Sequence, residues 1–143
     1  MPPSDPYRLD RFVTAQEADG TYQRAVGELQ QGRKQSHWMW FVFPQIVGLG
    51  QSATSKRFAL SSLDEARAYL GHPLLGPRLL ECTGIVAASA ADSAVRIFGM
   101  VDAQKLHSSM TVFLRADETA TLFQQVLDRY FGGSPDPATD RLV

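Results

Sequence analysis

The sequence has little of the residue types that build disulfides and metal centres. Cys82 is the one cysteine among 143 residues, so neither an intrachain disulfide nor a thiolate metal cluster can form. The three histidines, His37, His72 and His107, are far apart in the sequence and form no HxxxH pair. This spacing is not typical of a structural zinc site. We therefore predict neither a metal ion nor another cofactor.

An excess of positive charge is also missing. The chain has 14 Lys and Arg residues against 15 Asp and Glu residues, which gives a formal net charge of −1. The three lysines and eleven arginines are scattered rather than gathered into a basic run. Because proteins that bind nucleic acid neutralise the phosphate backbone with clustered cations, we expect no nucleic-acid partner.

Long apolar runs are absent as well. No uninterrupted apolar stretch approaches the ~18–20 residues that a membrane-spanning helix needs. The first five residues, MPPSD, contain neither a cationic leader nor the apolar stretch of a secretory signal. We therefore expect a cytoplasmic protein with no membrane partner.

The sequence does contain enough apolar residues for one core. A hydrophobic content of 44% and this chain length are typical of one domain. Apolar residues recur at helical spacing in several segments, for example from Tyr22 to Leu29. These patterns predict an all-α, compact single domain of about seven helices, without repeats, over residues 1–133. Residues 134–143 contain two prolines and few apolar residues, which predicts a flexible C-terminal tail.

Aromatic residues are concentrated in one segment. Four of the fourteen aromatics, including both tryptophans, lie within residues 37–43. Every position from Trp38 to Phe43 is apolar, and propensity alone favours a buried strand. Ser36 as an N-cap, Pro44 as a terminator and the lack of a partner strand favour a short buried helix instead. We predict the helix.

The two tryptophans are candidates for a ligand site. Residues i and i+2 of a helix point some 200° apart, so Trp38 and Trp40 cannot share one narrow face. If one lies deep in the core, the other borders a groove, next to the amide of Gln45. The alternative is that the whole segment only packs in the core. His37 likewise has two interpretations: it is a general acid or base, or it is a structural histidine.

A second polar group lies between residues 99 and 113. Asp102, Lys105 and Ser109 follow the spacing i, i+3, i+7 and so share one helical face, with Ser108 on the adjacent strip. Hydroxyl residues in the middle of a helix are explained by bonding to the preceding turn, by tight packing or by a ligand. The Asp–Lys pair is either a surface salt bridge of little consequence or, if buried, a base or an anion clamp.

A glycine loop, Gly48-Leu49-Gly50, precedes the cations Lys56 and Arg57. Flexible glycines followed by cations are ingredients of an anion site, although the spacing does not match a P-loop. A plain turn with a solvated basic pair is the alternative interpretation.

These motifs together resemble a known family. The stretch Gly32–Gln45 with Gly48-Leu49-Gly50, and the stretch Phe98–Phe113, are similar to the signature of the bacterial and fungal family catalogued as domain of unknown function 1810. The resemblance extends over residues 5–131. It implies a mainly α-helical single domain, and therefore a helix at residues 37–43, but it supplies no activity.

Three functional hypotheses remain open. The first is a domain that binds a phosphorylated or nucleotide-like small molecule in an aromatic and polar groove. The second is a hydrolase or transferase with His37 or Lys105 as the proton-transfer group. The third is a protein-interaction or structural module; the sequence indicates no particular protein partner. The residues that we expect to line the groove are His37, Trp38, Trp40, Gln45, Asp102, Lys105, Ser108 and Ser109.

Overall fold

A computed structural model describes residues 4–143, so the first three residues of the predicted domain lie outside the described residues. Between these limits there are α-helices and no β-strand, which confirms the all-α prediction. No helix in this range combines the length and the apolar character needed to cross a membrane. The helices are α1 Asp10–Glu17, α2 Thr21–Gln30, α3 Met39–Val42, α4 Ala53–Arg57, α5 Leu63–Gly71, α6 Leu75–Ala88, α7 Ala94–Ala116, α8 Thr121–Tyr130 and α9 Pro137–Leu142, with a 3₁₀ turn at Ala18–Gly20 between α1 and α2.

The long helix α7 is the centre of the fold. Its buried residues include Leu106, Met110 and Phe113, and α5, α8 and α9 pack against it. Gly99 breaks the regular geometry of α7 near its beginning. Gly99 has φ 80° and ψ 168°, a conformation that glycine adopts without steric cost.

The aromatic segment forms a helix, as predicted, but a shorter one. Helix α3 has four residues and begins after Trp38, because the Ser36 side chain bonds to Glu28 instead of capping the helix. The buried carbonyl of Phe41 accepts hydrogen bonds from Gln16 Nε2 at 2.8 Å and from the Tyr69 hydroxyl at 3.2 Å. A helix of four residues leaves most of its backbone carbonyls without a partner inside the helix, and these two side chains supply the donors for one of them.

The segment from Gln45 to Leu60 is a loop whose two ends are hydrogen-bonded to each other. The Val47 amide donates to the Leu60 carbonyl, and the Leu60 amide donates to the Gln45 carbonyl, both at 2.8 Å. A Cβ atom at Gly50 would lie 2.4 Å from Ser55 Cβ, so only glycine fits there. The closed loop therefore brings Gln45, Gly50 and Ser55 together beside α7.

The C-terminal residues differ from the predicted flexible tail, because residues 137–142 form α9 and pack on α7. The Asp136 carboxylate is the N-cap of α9 and accepts hydrogen bonds from the Thr139 amide and hydroxyl at 3.3 and 2.7 Å. The Asp136 amide donates to Thr111 Oγ1 at 2.8 Å. The tail was predicted from its low apolar content, whereas polar contacts hold this helix in place.

Candidate functional site

A cleft of about 400 Å³ lies between α7, the Gln45–Leu60 loop and the start of α9. Its volume is within the range of small-molecule sites, roughly 300–1,000 Å³. Three of the residues predicted for the groove, Gln45, Lys105 and Ser108, line this cleft. The other residues that line it are Leu49, Gly50, Ser55, Val101, Gln104, Asp136 and Ala138.

A much smaller cavity of about 20 Å³ lies next to the cleft. The two share Gln45, Gly50 and Ser55, and the small cavity is also bordered by Trp40 and Lys56. A cavity of this size has room for one water-sized group. The glycine loop therefore forms a wall common to the cleft and the small cavity.

Trp40 is a half-buried aromatic residue that borders the small cavity and contacts a cation. Lys105 Nζ lies 4.7 Å from the centroid of the Trp40 ring, within the range of a cation–π contact. The Trp40 Nε1–H is buried and has no hydrogen-bond partner within residues 4–143. This N–H is thus a donor that the described side chains and backbone leave available.

Lys105 belongs to a group of three charges. Asp102 lies 3.2 Å from Lys105 Nζ and 2.8 Å from Lys34 Nζ, so two ammonium groups share one carboxylate. The side chains of Lys34, Asp102 and Lys105 are 7%, 19% and 20% exposed. The Asp102–Lys105 pair is therefore not an open surface salt bridge. The three residues together have a net charge of +1 at the edge of the cleft.

Lys34 is a functional candidate that the sequence did not reveal. Its Nζ also donates to the Ser36 carbonyl at 2.5 Å, and its amide donates to the Ile97 carbonyl at 2.7 Å. In the sequence, Lys34 follows Gly32 closely and precedes polar residues, which is typical of a solvated loop. Its contact with Asp102, which is far away in the sequence, makes it a candidate for the site.

Trp38 lies in the core and not in the groove predicted for it. Its side chain is fully buried, and its indole N–H donates to Glu28 Oε1 at 2.9 Å. Trp38, which precedes α3, thus lies in the core, whereas Trp40 within α3 borders the small cavity.

Glu28 organises the segment that leads to the tryptophans. Burial by itself would raise the pKa of this carboxylate, but hydrogen bonds from the Ser36 hydroxyl, the Gln35 and Ser36 amides and the Trp38 indole lower it to about 2. Sequence reasoning missed Glu28, although it follows the buried Ala25 by three residues and therefore lies on the buried face of α2.

His37 is exposed and lines neither the cleft nor the small cavity. The catalytic hypothesis requires a proton-transfer group within hydrogen-bond reach of the other site residues. His37 does not line the cleft together with Lys105 and Ser108.

The mid-helix hydroxyls of α7 have different environments. The Ser108 hydroxyl donates to the Gln104 carbonyl at 3.2 Å and is 3.0 Å from Asp136 Oδ2, so it links α7 to α9. Thr111 Oγ1 donates to the His107 carbonyl at 2.8 Å. Ser109 is fully buried, and its hydroxyl has no partner in the described part of the chain.

Asp136 places a carboxylate in the cleft wall, but the carboxylate is engaged in internal contacts. Burial would raise its pKa, whereas the hydrogen bonds from Thr139 and Ser108 lower it from its usual value. Asp136 is thus an ionised cap of α9. Within residues 4–143, no group of three or more His, Cys, Asp or Glu side chains is placed to hold a metal ion.

The sequence and the fold were compared with those of known proteins. The chain matches the family model described as "Protein of unknown function (DUF1810)" over residues 6–143. It is similar to the crystal structure of the conserved hypothetical protein Rv1873 from Mycobacterium tuberculosis, with 51% sequence identity and a TM-score of 0.94, over 97% of this chain and 98% of that chain. No curated protein matches it. Both the motifs and the complete fold, α9 included, are thus accounted for by one family, and the chain belongs to DUF1810, a family of unknown function.

Proposed function

We propose that the protein binds a phosphorylated or nucleotide-like small molecule in the cleft, with Lys105 as the contact for its anionic group. The observation that carries the proposal is the position of Lys105, a largely buried cation in the cleft wall that lies against Trp40 and shares its carboxylate partner, Asp102, with Lys34.

The charge balance around the cleft supports an anionic ligand. Lys56, Lys105 and Asp136 border the two cavities. Lys105 is paired with Asp102, which is also paired with Lys34. This whole group has three lysines against two carboxylates and therefore an excess of one positive charge. Charges interact more strongly in a partly desolvated site than in bulk water, so this excess favours binding of an anion.

Trp40 argues against a purely structural module. That hypothesis is favoured if both tryptophans are fully buried and Asp102 and Lys105 lie at the open surface. Trp40 is instead half-buried, and Asp102 and Lys105 are mostly covered. Of the two proton-transfer groups that the enzyme hypothesis names, Lys105 lines the cleft and His37 does not, so that hypothesis depends on Lys105 alone.

The test is a thermal-shift and calorimetric titration with inorganic phosphate, nucleoside monophosphates and phosphorylated metabolites. A ligand that binds the folded state raises the melting temperature with its concentration. Lys105→Met keeps the apolar stem over Trp40 but removes the charge, and we expect about tenfold weaker binding, as for the loss of one charge-assisted hydrogen bond. Binding to the wild type should also weaken as salt is added.

Arg96→Met is the matched control, because Arg96 is 73% exposed and its ion-pair partner, Asp92, is 3.9 Å away. It should bind the same ligand as the wild type does. If no anion stabilises the wild type more than the Lys105→Met variant, the proposal fails.

A further inference from the structure

We infer that the small cavity beside Trp40 is a subsite for a single hydrogen-bond acceptor, namely a carbonyl or hydroxyl oxygen of the ligand. This inference rests on the proposed function and narrows its ligand class. The ligand would be a small phosphorylated compound that carries, a few bonds from its phosphate, an uncharged oxygen that accepts the Trp40 Nε1–H.

The unpaired indole N–H is the first argument. A tryptophan Nε1–H can only donate, and a buried donor without an acceptor destabilises the folded protein. The Trp40 donor is buried without a partner among the described residues, whereas the Trp38 donor is paired with Glu28. Because Trp40 lines the small cavity, we assign the acceptor for its N–H to that cavity.

The size of the cavity is the second argument. At about 20 Å³ it exceeds the ~10–15 Å³ that one water needs, but it cannot hold a phosphate group or an aromatic ring. Gln45 and Ser55, which also border it, offer further polar groups. The occupant is thus one oxygen-sized polar group, which is a water when the protein is free and a ligand oxygen in the complex.

The position of the cavity is the third argument. It shares Gln45, Gly50 and Ser55 with the cleft, so an oxygen in the cavity can belong to a molecule in the cleft. Lys105, the anion contact in the cleft, lies 4.7 Å from the ring that carries the N–H donor. The phosphate and the second oxygen are therefore close together in the ligand, which favours a phosphorylated metabolite of a few carbons over a nucleotide base in this subsite.

The test uses the two indole N–H signals of the ¹⁵N-labelled protein, assigned with a Trp40→Phe variant. In the free wild type, we expect a cross-relaxation peak between bound water and the Trp40 N–H, and none for Trp38. The probes are dihydroxyacetone phosphate, which has a carbonyl, and propyl phosphate, which lacks it. The first should remove the water peak and shift the Trp40 signal, whereas the second should leave the water peak in place.

Affinities give the second readout. Trp40→Phe keeps a six-membered aromatic ring for Lys105 but loses the five-membered ring of the indole with its N–H. It should therefore weaken the binding of dihydroxyacetone phosphate by about five- to tenfold and the binding of propyl phosphate much less. If both compounds bind with Lys105-dependent and equal affinity, and the Trp40 signal does not move, the subsite is disproved while the proposed function stands. If neither compound nor any other anion binds, the proposed function itself fails, and the subsite with it. The spectra of the wild type test the subsite even if the Trp40→Phe variant is unstable.

Discussion

At the scale of single residues, buried polar groups determine where the aromatic segment lies. The Glu28 carboxylate accepts hydrogen bonds from two backbone amides, one hydroxyl and one indole N–H, all of residues 35–38. These donors lower its pKa from 4.5 to about 2. Since the lowered pKa belongs to the folded state, Glu28 stabilises the fold above its usual pKa and loses this contribution as the pH falls through about 2.

Replacement of Glu28 by glutamine should therefore have a pH-dependent effect. We expect Glu28→Gln to lower the free energy of unfolding by about 3 kcal/mol at pH 7, the equivalent of the pKa difference. Its deficit should shrink as the pH falls from about 4.5 towards 2, where the wild-type carboxylate is also protonated. Urea denaturation at several pH values measures this, with Glu118→Gln, a carboxylate 74% exposed, as the control. A deficit that does not change with pH would contradict the interpretation.

The neighbouring serines of α7 provide a second comparison. Ser108→Ala removes the hydrogen bond to Asp136 and should cost about 1 kcal/mol, whereas Ser109→Ala removes a buried hydroxyl that has no partner among the described residues. The second change should be neutral or stabilising. Chemical denaturation of both variants measures their free energies of unfolding. An equal loss of stability in the two variants would show that the Ser109 hydroxyl has a hydrogen-bond acceptor.

At the scale of secondary-structure elements, α9 depends on one capping residue. Asp136 caps α9, bonds Ser108 of α7 and is only 4% exposed. At the other side of the helix, Arg115 forms two hydrogen bonds with Asp140 at 2.9 and 3.0 Å, but this pair is more exposed. Buried caps contribute more than exposed ion pairs, so Asp136 is the principal contact between α9 and the rest of the domain.

We expect Asp136→Ala to cost about 1–2 kcal/mol and to raise the hydrogen-exchange rate of the α9 amides. Asp140→Asn, on the same helix, should cost less than about 1 kcal/mol and leave exchange nearly unchanged. Because the pKa of Asp136 is lowered, the wild-type helix should also begin to exchange faster when the pH falls below the usual range of an aspartate. Fast exchange of α9 in the wild type at neutral pH would contradict this role.

At the scale of the whole molecule, one core connects the helices. Cys82 lies in α6 with no exposed surface, and burial raises the pKa of its thiol to about 12. A thiol reagent needs an accessible thiolate, so the folded protein should resist labelling at pH 8.

Labelling of Cys82 should therefore report opening of the whole domain. The rate should rise with urea in parallel with unfolding, and it should be about a hundredfold faster in Glu28→Gln, in proportion to the predicted loss of stability. Glu118→Gln should label at the wild-type rate. Rapid labelling of the native wild type would mean that α6 opens locally.

The features that depend on neighbours in the chain were predictable. Helical periodicity and the aromatic cluster predicted an all-α domain with a short helix near residue 40, and the structure has both. The i, i+2 spacing of the tryptophans predicted that, if one lay in the core, the other would border a groove. It could not say which, because that depends on the direction from which the rest of the core approaches.

The sequence by itself determined the helical class, the single cysteine that excludes an intrachain disulfide, and two of the segments that line the cleft. Only the tertiary structure decided that Lys34 shares Asp102 with Lys105, that α9 docks on α7, and that His37 lies outside the cleft. The physical reason is the range of the interactions involved. Helix formation depends on residues three or four positions apart, whereas these contacts join side chains far apart in the chain that meet only once the core has packed.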